Sequence, residues 1–336
     1  MDQNSNKKRG LAFKAMSQIS RGNKNPPLDS CLYWGEPCLE PPIFSHSLSK
    51  CWLNHLQVDG HLVKLGVFQK KTDQGDATLF CPDAVGCGEA SVFKGFCNKH
   101  DTELFRGLDR LDVNASPEIC VKLIYRSVCK EFMAKYSVVA SFLNNQIVND
   151  PKTHPYCGAE MIRCMELLKY KYKIEDAIQT GDYSDFSHLV FDLKELPWLI
   201  GTTTFCPQIT AKGKFLIPNF EWLTFTILPK ETSGLAILSW NKWAHKNPSL
   251  LAQSLLRFPV YLMEMALPRL LLQTSDNVVF SPKKWFGLSE FSKNVLIEMH
   301  KDGVVNSEKP FEKEALMPNS KTDYEWALNL AGTKIL

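Results

Sequence analysis

Several motifs of common enzyme classes are absent from this sequence of 336 residues. It contains no Gly-x-Ser-x-Gly, Walker A or Gly-x-Gly-x-x-Gly pattern. Their absence excludes the simplest hydrolase, nucleoside triphosphatase and dinucleotide-binding hypotheses. No sustained apolar stretch follows the charged residues of the N-terminus, so we expect no secretory signal peptide.

The sequence also lacks a long apolar run without charges. The best candidate for a membrane span is residues 251–272. This segment contains three charged residues and two prolines, namely Arg257, Glu264, Arg269, Pro259 and Pro268. Each charge at the centre of a bilayer costs about 2.5–3.5 kcal/mol. The segment therefore predicts a buried helix kinked by its prolines, and we expect a soluble, cytoplasmic protein with no membrane partner.

Charge of one sign is not in large excess, because the formal net charge is +3. The first 30 residues are an exception, with six lysines and arginines against two aspartates. A basic, polar arm of this kind predicts a disordered tail over residues 1–29. The alternative is an arm that binds the phosphates of nucleic acid.

The remaining composition is that of a globular protein, with 44% hydrophobic and 22% charged residues. Apolar periodicity predicts an α+β fold, in which a zinc-binding module at 30–112 is followed by a helical segment at 113–187 and an antiparallel sheet with closing helices at 188–336. Helices are expected at about 47–56, 98–110, 117–147, 159–172, 247–272 and 288–301. Residues 70–77 are expected to be a polar loop, and the last residues to be loose.

Eleven cysteines in such a chain indicate thiols and metal ligands rather than a disulfide framework. Two pairs have the spacing of zinc ligands: Cys31 with Cys38, and Cys97 with His100. The second pair opens a predicted helix, so both side chains can project from its first turn. A knuckle pair and a helical pair joined by a β-hairpin is the treble-clef arrangement, in which four ligands surround a structural zinc ion.

Other ligand sets remain open. Cys81 and Cys87 lie close before Cys97 and could form a local site with Cys97 and His100. Cys51 and His55 are four residues apart on one predicted helix face, although such a pair is more often part of a core. Four further cysteines lie in apolar stretches and are interpreted as core thiols: Cys120, Cys129, Cys164 and Cys206.

Two segments carry a resemblance to a recurrent group of uncharacterised bacterial proteins. They are residues 45–63 (SHSLSKCWLNHLQVDGHLV) and 89–109 (EASVFKGFCNKHDTELFRGLD). The second segment is the more specific of the two. The resemblance covers about a fifth of the chain and implies no particular activity.

A more distant resemblance is to the HNH-type ββα-metal nucleases, in which a cysteine knuckle precedes a strand that ends in a catalytic histidine. Here His46 follows Cys38 by eight residues. The resemblance implies that His46 is the general base and that Asn98 and Asp101 orient it or hold a divalent magnesium or manganese ion. The chain departs from the family pattern in having Ser45-His46 where Asp-His is usual.

The leading hypothesis is therefore a zinc-stabilised protein that acts on DNA or RNA, as an HNH-like endonuclease of the kind found among bacterial defence proteins. The alternative is a non-enzymatic binding or sensor protein in which the zinc ion is purely structural. Aromatic residues of the C-terminal half could form a base-stacking platform, but aromatics at strand spacing are more often core.

Overall fold

The computed structural model describes residues 31–33, 38, 40–72, 75–144, 154–208, 219–243, 246–304 and 325–336, with residues 210, 211, 214 and 216. The tail predicted for residues 1–29 lies outside the described residues. Within the described part of the chain, no helix combines the length and the apolar character needed to cross a bilayer.

The described residues form eight helices with recognisable start signals. Ser49 caps the first, its side chain accepting from the Cys51 amide, and Ser116 Oγ accepts from the Ile119 amide at the start of the third. The helices are Lys50–Leu56 (α1), Asn98–Phe105 (α2), Pro117–Asn144 (α3), His154–Thr180 (α4), Asn247–Leu256 (α5), Val260–Thr274 (α6), Pro282–Gly287 (α7) and Glu290–Val304 (α8).

Ten strands form two antiparallel sheets. The strands are Phe44–His46 (β1), His61–Thr72 (β2), Gly75–Gly86 (β3), Val92–Lys94 (β4), Phe186–Leu193 (β5), Leu199–Phe205 (β6), Leu223–Pro229 (β7), Gly234–Asn241 (β8), Val278–Phe280 (β9) and Leu330–Ile335 (β10). β1 pairs with β4, and the other eight form one sheet in the order β10-β5-β8-β7-β6-β9-β2-β3. Strands β2 and β3, from the segment 30–112, thus share a sheet with the C-terminal strands.

Helices cover both faces of the large sheet. Val190 and Ile237 join a core that contains α3 and the N-terminal segment, whereas Phe191 and Leu238 join a core that contains α6 and α8. This division follows from the alternation of side chains along a strand. Because both faces are covered, all seven residues of β7 are buried. Its two threonines, Thr224 and Thr226, form hydroxyl hydrogen bonds with Thr204 and Thr202 of β6.

A buried polar network joins α3 to α4 beneath the N-terminal segment. The Tyr125 hydroxyl donates to Glu175 Oε1 at 2.5 Å, and Lys171 Nζ donates to the same oxygen at 2.6 Å. The Tyr125 hydroxyl also lies 3.4 Å from the carbonyl oxygen of Leu32. The two charges are almost fully buried, so each depends on the other for compensation.

The α+β class and the antiparallel sheet are confirmed, but three local predictions are wrong. Residues 70–72 and 75–77 of the expected loop 70–77 belong to strands β2 and β3. The expected loose C-terminus contains β10, which pairs with β5. The expected single helix 247–272 is two helices, since Pro259 ends one and precedes the other. Most aromatics of the C-terminal half are core, including Trp198 and Phe225.

Candidate metal centre

Four side chains converge beside the N-terminus of α2. Cys31, Cys38, Cys97 and His100 place one ligand atom each within 4.8 Å of one another. His100 Nδ1 lies 3.4 Å from both Cys31 Sγ and Cys97 Sγ, and the sulfur atoms of Cys38 and Cys97 are 3.6 Å apart. The sequence-predicted set is therefore brought together in full.

The backbone around the cluster positions these atoms. The Leu32 amide donates to the Gly95 carbonyl oxygen at 2.7 Å, which joins the segment of Cys31 to the end of β4. The Cys97 amide donates to Cys31 Sγ at 3.3 Å. Cys97 is also the N-cap of α2, and its sulfur accepts from the His100 amide at 3.4 Å. Amide donors of this kind stabilise negative charge on a sulfur atom.

Three of the six separations among the four ligand atoms are close to those around a tetrahedral zinc ion. Zinc bonds of about 2.3 Å to sulfur and about 2.0–2.1 Å to nitrogen place neighbouring ligand atoms about 3.6–3.8 Å apart. The observed separations of 3.4 and 3.6 Å are close to these values. A ligand set of three sulfur atoms and one imidazole nitrogen also favours zinc, because calcium and magnesium bind oxygen ligands.

Burial opposes the ionisation of the cysteine thiols in the cluster. It raises the pKa of the Cys97 thiol to about 12, and it raises the pKa of Cys31 as well. Without a cation, these thiols would therefore stay protonated at neutral pH. A coordinating metal ion reverses that preference, because zinc binds the thiolate form and releases the proton.

The competing ligand sets are not assembled among the described residues. Cys81 lies on β3 and Cys87 in the turn after it, outside the four-residue cluster. His55 Nε2 lies 2.9 Å from the Glu231 carbonyl oxygen. Cys120, Cys129 and Cys164 are buried in the core and Cys206 packs against it, as expected for core thiols.

His46 lies at the end of β1, opposite Val92 of β4, and is not a member of the metal cluster. Its Nε2 is 3.2 Å from the Cys87 carbonyl oxygen. Burial lowers the pKa of His46, and the positive charges of Arg126 and Lys50 lower it further. The ring is therefore neutral at pH 7, and a donor bond from Nε2 to the carbonyl leaves Nδ1 with its lone pair.

Three polar side chains lie on the elements around His46: Ser45 on β1, Asp101 on α2 and Arg126 on α3. Burial raises the pKa of Asp101, whereas the charge of Arg126 and a hydrogen bond from the Ser45 side chain lower it. Asp101 and Arg126 are close enough to affect the pKa of His46 in opposite directions.

The other predicted site residue, Asn98, is exposed in the first turn of α2. It precedes Asp101 by three residues, so both side chains lie on one side of the helix. Sequence reasoning named Ser45 only as a departure from the Asp-His pattern, and it missed Arg126. Arg126 lies 80 residues after His46 on a helix whose apolar pattern indicates only core, so no local signal connects it with the site.

Comparison with known proteins finds no relative of this chain. No family model, curated protein or solved structure matches the chain.

Proposed function

We propose that Cys31, Cys38, Cys97 and His100 hold a structural zinc ion in a treble-clef-like module formed by the cysteine knuckle, the β1–β4 pair and α2. The support is the cluster itself, whose ligand atoms lie within 4.8 Å of one another. The ligands come from segments separated by 58 residues, so one ion fixes the relative position of the knuckle and the helix. Metal affinity then contributes directly to folding.

We further propose that this module is the catalytic part of an HNH-like, metal-dependent endonuclease. The observation that carries the proposal is the group of polar side chains near His46 and outside the zinc cluster, namely Asp101, its hydrogen-bond partner Ser45, and Arg126. Ser45 Oγ and Asp101 Oδ1 are hard oxygen ligands of the kind that magnesium and manganese prefer. A divalent cation there would stabilise the negative charge that builds on a phosphate during hydrolysis.

His46 has the properties of a general base in this proposal. It is neutral at pH 7 because burial and the nearby cations lower its pKa. The Cys87 carbonyl oxygen, 3.2 Å from Nε2, holds the ring in one tautomer. Nδ1 can then accept a proton from the water that attacks the phosphodiester, a role whose loss slows reactions by about 10²–10⁴-fold.

Asp101 connects the two parts of the proposed site. It directly follows the zinc ligand His100 on α2, so the zinc ion that fixes the start of this helix also fixes the carboxylate. Asn98, on the same side of the helix, is the further candidate for orienting His46 or the cation. In this proposal the catalytic and the structural metal ions have different ligands, but one turn of α2 carries a ligand of each.

The test is cleavage of plasmid DNA and of single-stranded RNA by the purified full chain, with added magnesium or manganese. We expect His46→Ala to lower the cleavage rate about 100-fold or more while zinc content and thermal unfolding stay as in the unmodified protein. His61→Ala is the matched control, because His61 is exposed at the start of β2 and its loss should leave the rate unchanged.

The outcomes separate the two functional hypotheses. Full activity in His46→Ala would contradict the assignment of the base. Loss of zinc in His46→Ala would make His46 a metal ligand. A zinc-loaded protein that cleaves neither substrate would instead favour the non-enzymatic binding or sensor protein.

A further inference from the structure

The three sulfur atoms of the metal cluster differ in their access to solvent. The side chains of Cys31 and Cys97 are 1% and 0% exposed, whereas Cys38 is only half-buried. Cys38 Sγ also lies 3.6 Å from Cys97 Sγ. A small reagent that enters the cluster from solvent therefore meets Cys38 first, and a second sulfur atom lies next to the point of attack.

We propose that Cys38 is a site of oxidation by hydrogen peroxide and that Cys97 then forms a disulfide bond with it, with release of the zinc ion. This inference rests on the proposed zinc site and adds its regulation. Cysteines that respond to oxidants combine an accessible thiolate with a second cysteine in reach. Zinc binds the thiolate form, and the thiolate is the form that reacts.

The oxidation needs no reactant other than the peroxide. In the first step the Cys38 thiolate attacks one oxygen atom of hydrogen peroxide, and the bond between the two oxygen atoms breaks. Cys38 becomes a sulfenic acid, and the leaving hydroxide takes a proton to form water. In the second step the Cys97 thiolate attacks the Cys38 sulfur, the disulfide forms, and a second hydroxide leaves and becomes water. The two cysteines lose two electrons, and the peroxide gains them.

The disulfide would remove two of the four zinc ligands. Structural zinc sites have four protein ligands, so Cys31 and His100 alone should not retain the ion. Cys97 is also the N-cap of α2, and Asp101, which the proposed function assigns to the catalytic cation, follows it by four residues. Oxidation should therefore release the start of this helix and stop cleavage.

Other half-buried thiols of the chain provide a control. Cys51, Cys81 and Cys206 have intermediate exposure, as Cys38 has, but none of them belongs to the metal cluster. Oxidation of these thiols removes no zinc ligand, so zinc release reports on the cluster. Cys51→Ser is the matched control variant, because it removes a half-buried thiol and leaves the four ligands in place.

The experiment treats the full zinc-loaded chain with hydrogen peroxide. Released zinc is measured with a chromogenic chelator, and disulfide bonds are mapped by mass spectrometry of peptides. We expect release of about one zinc ion per chain, a disulfide between Cys38 and Cys97, and renewed zinc binding after reduction with dithiothreitol. Cys51→Ser should release zinc at the rate of the unmodified protein.

Cys38→His tests the assignment of the accessible thiol. This variant keeps four zinc ligands but has no sulfur atom at position 38, so it should release zinc at least about 10-fold more slowly. Equal release rates in this variant and the unmodified protein would overturn the proposal. So would zinc that stays bound while other cysteines are oxidised, or a disulfide map without a bond between Cys38 and Cys97. If Cys38→His does not bind zinc, the disulfide map of the unmodified protein decides.

The same measurements separate this inference from the proposed function. A purified protein without zinc would contradict the metal site, and the disulfide map would still test the cysteine pair. Zinc release with the expected disulfide, in a protein that cleaves no nucleic acid before oxidation, would contradict the endonuclease and support the oxidation site. Cleavage that is lost in His46→Ala but unaffected by peroxide, with zinc retained, would support the endonuclease and overturn the oxidation site.

Discussion

At the scale of single residues, Cys97 has two structural roles in the candidate metal centre. Its sulfur caps α2 by accepting from the His100 amide, and it lies 3.6 Å from Cys38 Sγ and 3.4 Å from His100 Nδ1. The side chain is fully buried. One atom thus serves the helix start and the proposed metal site together.

We expect Cys97→Ser to abolish zinc binding and to destabilise the chain strongly. Structural zinc contributes about 10–16 kcal/mol of apparent binding energy in small domains, far more than a helix cap, which contributes about 1 kcal/mol. A serine could keep the cap but is a poor zinc ligand. Elemental analysis and thermal unfolding of the variant measure the two effects.

Cys81→Ser is the matched control for this prediction. Cys81 is half-buried on β3 and lies outside the cluster, so its loss should leave the zinc content unchanged. Equal zinc content in all three proteins, or zinc lost only from Cys81→Ser, would contradict the assigned ligands.

The sequence predicted the four clustered residues because ligand type and short spacing are local properties. Two residues separate Cys97 from His100 in the chain, and Cys31 and Cys38 enclose a turn-forming stretch. Arg126 could not be predicted, since its place near His46 depends on how the distant helix α3 packs against the N-terminal segment. Long-range packing leaves no spacing signal in one sequence.

At the scale of elements, the C-terminal strand is held to the sheet by more than its ladder with β5. The Leu328 amide donates to the Glu264 carbonyl oxygen at 2.9 Å, and the Leu330 amide donates to Glu264 Oε1 at 2.9 Å. Trp326, just before the strand, is fully buried and its carbonyl oxygen accepts from Trp198 Nε1 at 3.2 Å.

Trp326→Ala should lower the free energy of unfolding by about 3–5 kcal/mol, because truncating a buried tryptophan removes apolar burial and leaves a cavity. Trp243→Ala is the control: its side chain is 62% exposed, and surface changes usually stay within about 0.5 kcal/mol. Denaturant unfolding of both variants measures the difference. Similar losses in the two would contradict the anchoring role of Trp326.

The same strand shows why some elements could not be predicted. Five of the six residues of β10 are exposed, so its sequence, LAGTKI, lacks the alternation that identifies a half-buried strand. Near the tip of the β2–β3 hairpin, Lys71 and Asp76 are likewise exposed, so water rather than apolar packing surrounds these polar side chains. An antiparallel sheet within 188–336 was predicted, because its central strands β5 to β8 bury apolar residues, and so were the helices near 50–56, 98–105, 117–144 and 290–304.

At the scale of the whole molecule, buried histidines lie on both sides of the large sheet. His188 of β5 faces the α3 side, and its Nδ1 is 2.8 Å from Ser239 Oγ. His300 of α8 lies on the other side and donates from Nδ1 to the Leu272 carbonyl oxygen at 2.8 Å. Burial lowers the pKa of each ring from 6.5 to about 4.

These two rings should make the fold less stable in mild acid. Between pH 6.5 and about 4 the unfolded chain binds protons that the folded chain does not, so the free energy of unfolding falls as the pH is lowered through this window. At about pH 5 the loss is about 2 kcal/mol per ring. Denaturant unfolding at about pH 7 and about pH 5 measures it.

His188→Gln isolates the histidine contribution from any loss of metal, which also occurs in acid. Its stability should fall less than that of the unmodified protein between the two pH values, whatever its stability at neutral pH. His61→Ala, which changes an exposed ring, should keep the full pH dependence. An identical dependence in all three proteins would contradict the prediction.

The position of the proposed metal ligands in the chain has a consequence for synthesis. All four are available once residue 100 has been made, but β2 meets its second neighbour, β9, only at residues 279 and 280. At about 5–20 residues per second, β2 keeps an open edge for roughly 10–40 s. Charged residues on that strand, Lys64, Lys70 and Lys71, discourage pairing with another nascent chain during this interval.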